Sequence, residues 1–190
     1  MASPVAQGVH RDSLLAANRA VIDRIRKTVS GVGHDALTRR PNDGGWSIAE
    51  VLEHLIVSAD SYLERVRSLV RENGGKAAGP DAGWKPTLGG GLLVWSMRSP
   101  RKSPAPKMYK PSPTPRPHAL EEFLRRQEEV GRLITEAGTM DWRRVRMRSP
   151  VLPIIHMNLG DALTVLVVHA ERHAGQIERV KASTSQGVTS

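Results

Sequence analysis

Four stretches of this chain place apolar residues at intervals of three and four, the period of an amphipathic α-helix and not of a strand. In 12–29 the repeat is Leu15, Ile22, Ile25 and Val29, with Leu14 and Val21 beside them, and Gly31 and Gly33 supply a stop. The second stretch is the best specified. Ser47 and Glu50 stand at capping-box spacing, and Trp46 and Val51 are spaced for a hydrophobic staple. Its stripe runs Val51, Leu55, Ala59, Tyr62, Val66 and Leu69, and Asn73-Gly74-Gly75 ends it. The third, 118–137, follows Pro117 and carries Leu120, Phe123, Leu124, Gln127, Val130 and Ile134 on one face. The fourth opens at Asn158, has Asp161 three residues on, and keeps Leu159, Leu163, Leu166, Ala170, Ile177 and Val180 in line. Between the last two, 142–157 reads as irregular or weakly extended, because Pro150 and Pro153 argue against a long strand. With no convincing pair of strands, the expectation is an all-α chain: a four-helix bundle in a single domain over 1–190.

The stretch between the second and third helices, 74–117, is of a different kind. It holds nine of the 13 prolines, seven of the 17 glycines, and eight Lys or Arg against one acid, Asp81. Most of the net charge of +9 therefore sits on this stretch, and the helical remainder is nearly neutral. Such a segment fits a long Pro/Gly-rich crossover that carries the chain back along the bundle. Its charge raises nucleic acid or an anionic surface as a partner, through Arg98, Arg101, Lys102, Lys107, Lys110 and Arg116. A second basic cluster, Arg143, Arg144, Arg146 and Arg148, is partly offset by Asp141. No helix-turn-helix or other reader motif accompanies these charges, and aromatics make up only 4%, so no specific nucleic acid is expected.

The longest apolar runs fall far short of the roughly 20 residues of a membrane span. The first ten residues lack the basic and apolar regions of a signal peptide. The absence of cysteine excludes disulfides, thiolate metal sites and a cysteine nucleophile, and makes a cytoplasmic protein the natural expectation. By composition, 183–190 reads as a flexible tail.

Without cysteine, the seven histidines are the main candidates for holding a transition metal. His10, His34, His118 and His156 lie near helix ends or in loops, where a solvated or capping role is the ordinary one. His169 and His173 are four apart on the last helix. That spacing puts both imidazoles on one face, where two nitrogens can share a metal. They continue the row Ala162, Leu166, His169, His173, Gln176 and Val180 along the edge of the apolar stripe. The pair is not a zincin motif, since the nearby acid, Glu171, lies about 200° round the helix from where that motif needs it. His54 borders the core stripe of the second helix, and an ionisable ring there needs a partner. If the second and fourth helices are neighbours, His54 completes three nitrogens and leaves a fourth position open. Satisfied core histidines are the other reading of the same residues.

Read together, Gly-Trp-Ser-x-x-Glu-Val-x-x-His at 45–54, Lys-Met-Tyr-Lys-Pro-Ser-Pro at 107–113 and His-x-x-x-His-x-Gly-Gln at 169–176 resemble the DinB/YfiT-like superfamily. The likeness covers roughly 12–182, in order. It implies a four-helix bundle, often a homodimer, holding a divalent metal, most often nickel or zinc, on three histidines that map to His54, His169 and His173. Its characterised members include thiol S-transferases that use bacillithiol or mycothiol, and a mycothiol-dependent maleylpyruvate isomerase. A low-molecular-weight thiol is thus an implied cofactor, and a small molecule the implied substrate. Gln176 reads as an outer residue that orients a ligand. No acid is clearly placed as a general base: Glu50 is one turn before His54 but is claimed by the capping box, so no catalytic side chain is assigned. The leading expectation is a metal-dependent thiol transferase or small-molecule hydrolase. A basic binding module, or a bundle with a purely structural metal, are the alternatives.

Overall fold

The computed structural model describes residues 7–74, 84–99, 105–112 and 114–186. They are mostly helical, in keeping with the all-α expectation. The order is α1 (Gln7–Val29), α2 (His34–Thr38), α3 (Ile48–Asn73), α4 (Leu88–Arg98), α5 (Ala119–Glu136), β1 (Arg146–Arg148), β2 (His156–Asn158) and α6 (Leu159–Gln186). Single 3-10 turns lie at Lys107–Tyr109 and Ala137–Thr139.

The four long helices are those foreseen from the periodicity. α3 packs against α5 and α6, and α1 against the same two. Every residue of the α3 stripe is buried, as is the α6 row from Leu159 to Val180. On α1 it is Leu14, not Leu15, that is buried. Ion pairs set the directions. Arg126 reaches Asp60 at 2.9 Å and Arg67 reaches Glu129 at 2.7 Å, so α3 and α5 run the same way. His10 meets Thr164, and Arg24 meets Glu178, so α1 runs with α6. Two parallel neighbours cannot be joined by a tight turn, which is why the chain needs the long stretch between α3 and α5.

The cap of α3 forms as the sequence spells it. Ser47 Oγ accepts from Glu50 N at 3.2 Å, and Ser47 N donates to Glu50 Oε2 at 2.9 Å. The start of α6 is built on the same plan: Asn158 N donates to Asp161 Oδ2 at 3.0 Å, and Asp161 N donates to Asn158 Oδ1 at 2.9 Å.

Four sequence expectations need correction. The stretch 142–157, read as irregular or weakly extended, has a definite pairing: three residues of β1 lie antiparallel to three of β2, which runs on to Asn158, with Met147 opposite Met157 and both buried. The Pro/Gly-rich stretch 74–117, in which the sequence shows no helix, contains α4. There Thr87 Oγ1 accepts from Gly90 N and supplies the cap. Residues 183–186, assigned to a tail, continue α6, where the hydroxyls of Ser183 and Thr184 donate back to Val180 O; 187–190 lie outside the described residues. His10 is the fourth.

His10 is half-buried and stacked on Trp84, with ring centroids 3.8 Å apart and planes at 6°; Trp142 meets it edge-on at 5.9 Å. Its Nε2 lies 3.0 Å from Thr164 Oγ1, and the Thr164 hydroxyl itself donates to Gly160 O, so the ring nitrogen is the donor. Trp84 lies so close to α6 that a Cβ on Gly160 would collide with its indole. Burial, and secondarily the charge of Arg98, push the His10 pKa down to about 4. The unfolded chain therefore takes the proton first. Stability is complete above pH ~6.5 and drains as pH falls toward ~4, by about 2–3 kcal/mol for a ring that is partly solvated. Denaturant titrations across that window should show a shallower acid slope for His10→Gln than for the parent chain. Equal slopes would remove His10 from the account.

Candidate metal centre

Three imidazoles converge between α3 and α6. His54 comes from the second turn of α3, and His169 and His173 from successive turns of α6. One ring nitrogen from each lies within 4.8 Å of the other two. Ring centroids are 5.0 Å apart for His54 and His169, 4.8 Å for His54 and His173, and 4.6 Å for His169 and His173. Among the described residues this is the one group of three or more His, Cys, Asp or Glu close enough to hold a metal ion.

The outer contacts fix which nitrogen faces inward. His54 Nδ1 lies 2.6 Å from the carbonyl oxygen of Tyr109. A carbonyl only accepts, so Nδ1 carries the proton and Nε2 presents a lone pair to the cluster. His173 Nδ1 donates to Gln176 Oε1 at 2.7 Å, which turns its Nε2 inward in the same way. His54 Nε2 and His169 Nε2 face each other at 3.2 Å. Two nitrogens that each lie 2.0–2.1 Å from one tetrahedral ion are about 3.3–3.4 Å apart, so this edge already has the right length. The three neutral nitrogens, two of them held by an outer hydrogen bond, fit a borderline-soft divalent ion.

Electrostatics keeps the rings in the ligating form. Burial drives His169 well below the usual histidine range, with the neighbouring His173, His54 and Arg172 pushing the same way. His173 is lowered to about 3, mainly by burial and then by His54, against the hydrogen bond it donates to Gln176. Burial also lowers His54, against the Tyr109 carbonyl. All three are neutral near pH 7. His54 and His173 are buried and His169 is half-buried.

The two acids that precede His54 on α3, Glu50 and Glu53, are committed elsewhere. Glu50 holds Ser47 N and a bidentate Arg40. Glu53, next to His54, takes both arms of Arg116 at 2.7 and 2.9 Å. Glu171 is exposed, as its position round the helix predicts. His34, His118 and His156 are exposed and stay apart from the cluster.

Two neighbours of His54 escaped the sequence reading. One is the Tyr109 carbonyl, a backbone group that no residue type announces. The other is Trp46, whose ring centroid lies 5.0 Å from that of His54. Of the three crossover aromatics, Tyr109 is buried with its hydroxyl donating to Ser61 Oγ, and Trp84 packs on the core. Trp95 is 67% exposed. Arg116, counted in the basic arm, is spent on Glu53 and Glu122. Arg101 and Lys102 lie outside the described residues.

The fold and the cluster together define a helical protein with a three-histidine group that could hold a metal ion. The family model of the DinB superfamily matches residues 17–177, and the chain belongs to that superfamily. Among curated proteins and solved structures, none matches it significantly.

Proposed function

We propose that this chain is a divalent-metal-dependent enzyme, with His54, His169 and His173 as ligands and an open position for a thiol or water. The observation that carries the reading is the inward orientation of His54 and His173, each fixed through Nδ1 by an acceptor outside the cluster. The four long helices are read as a four-helix bundle, with 74–117 as its crossover. A bound divalent ion would act as a Lewis acid, lowering the pKa of a thiol or water so that a nucleophile exists near neutral pH. The chain's own part is to hold three neutral imidazoles in register. Gln176 and the Tyr109 carbonyl keep two of them from rotating, and the crossover covers the α3 side. Glu50 and Glu53, the acids closest to His54 in the sequence, are both tied to arginines, and neither is free to act as a general base, which favours thiol S-transfer over hydrolysis. Nickel and zinc are the favoured ions, a small electrophile the substrate class, and a cytoplasmic homodimer the working form.

Metal analysis of the purified chain after incubation with nickel or zinc tests the first half. The expected result is near-stoichiometric metal, lost in His54→Ala. Metal-free parent protein, or unchanged loading in the variant, would overturn the assignment. Metal-dependent consumption of one member of a panel of low-molecular-weight thiols tests the second half. A chain that keeps its metal and gains thermal stability from it, yet turns over no thiol, would instead be one in which the ion staples α3 to α6.

A further inference from the structure

α4 is a short surface helix that is apolar on two faces. Leu93, Val94 and Met97 pack against the core. Leu88, Leu92 and Trp95, spaced at four and three on the opposite side, are 96%, 61% and 67% exposed. The connection between β1 and β2 adds Ile154, 82% exposed, and Leu152, 50% exposed. The two elements adjoin: Thr87 Oγ1 lies 3.1 Å from His156 O, and Gly89 lies against Ile155. Scattered exposed apolar residues are ordinary on a protein surface, but five large ones on adjoining elements are not.

Charge decides what could cover them. Neither 84–116 nor 142–157 contains a single Asp or Glu. Lys85, Arg98, Arg146 and Arg148 are exposed there, and Arg101 and Lys102 follow α4 in the sequence. A two-fold contact through this face would set cations against cations, which costs affinity. Nucleic acid would answer the charges and leave the leucines and isoleucine against a polar backbone. An anionic lipid surface answers both. Its headgroups meet lysine and arginine, its acyl boundary takes Leu and Ile, and tryptophan settles at the level between.

We propose that the exposed face of α4, together with the β1–β2 connection, docks this chain peripherally on an anionic lipid bilayer. No helix among the described residues is long and apolar enough to cross one, so the contact is with one leaflet. The docking is independent of the metal centre.

Vesicle flotation of the full chain tests this. Phosphatidylcholine vesicles containing phosphatidylglycerol should carry the protein, pure phosphatidylcholine should not, and added salt should weaken the binding. The double variant Leu92→Ser/Trp95→Ser should bind the anionic vesicles at least about tenfold more weakly. Its circular dichroism should match the parent's, because both side chains project into solvent. Lys85→Ser/Arg98→Ser should weaken the preference for anionic vesicles without abolishing it, since Arg146 and Arg148 remain, and His54→Ala should bind as the parent does. Absent binding, equal binding to both vesicles, or unchanged binding by Leu92→Ser/Trp95→Ser would overturn the proposal. So would a dimer that this variant dissociates, since the face would then belong to a second copy of the chain.

Discussion

Alanine at His169 should weaken metal binding by at least about 100-fold, a larger loss than any change outside the cluster. Its Nε2 faces that of His54 at 3.2 Å, and its removal takes away two of the three edges of the nitrogen triangle. The pair left behind, His54 and His173, comes from different helices and lacks the one-turn register of His169 and His173. Gln176→Ala provides the graded comparison. It leaves three nitrogens in place and frees only the His173 ring, so the loss should be about 10–100-fold. Calorimetric titration with nickel or zinc reads both. Equal affinities for His169→Ala and the parent would show that the ion is held elsewhere. Equal affinities for Gln176→Ala and the parent would show that the 2.7 Å contact to His173 has no hold on the ligand.

The largest effect on stability should come from Asp161, which joins the crossover to α6. Its side chain is fully buried, and Oδ2 accepts from Asn158 N at 3.0 Å, Thr87 N at 3.2 Å and Thr87 Oγ1 at 2.7 Å. One carboxylate therefore caps α6 and holds the capping residue of α4. Gly90 is part of the same joint, because a Cβ there would collide with the Asp161 carboxyl. Alanine at 161 leaves the buried Asn158 N–H and the part-buried Thr87 N–H without an acceptor, at roughly 1–3 kcal/mol for the first and less for the second, so Asp161→Ala should cost about 2–4 kcal/mol. Asp161→Asn should cost about 1 kcal/mol. It retains an oxygen for the three donors, and it relieves a buried charge whose pKa is already raised by desolvation. Denaturant unfolding of the two variants distinguishes the cases. An asparagine as damaging as alanine would mean that the charge, not the acceptor, holds the joint.

Much of the helical frame was legible because each long helix announces itself locally. The Ser47/Glu50 box, the α3 stripe and the Asn158/Asp161 pair need only a few neighbouring residues to be recognised. The Gly-rich α4 was not legible. Three successive glycines, Gly89 to Gly91, argue against a helix at about 1 kcal/mol each. Gly89 and Gly90 make sense only once Ile155 and Asp161 are seen pressed against them. His10 failed in a similar way. Near the end of a helix it had every sign of a solvated ring, and only the return of the crossover lays Trp84 over it.

The candidate site divides along the same line. That His169 and His173 share a helix face follows from the spacing alone, because 3.6 residues per turn admits no other arrangement for positions four apart; so does the place of Gln176 on that face. The place of His54 beside the core stripe of α3 is equally local. That α3 lies beside α6 at the height where His54 meets the pair is a matter of packing between distant segments. Such packing also supplied the Tyr109 carbonyl that turns the His54 ring, and the arginines that occupy Glu50 and Glu53. Helical periodicity is a short-range property carried by the covalent chain. Which helix faces meet, and which backbone oxygen lies beside a ring, depend on packing between residues some 55 to 115 positions apart.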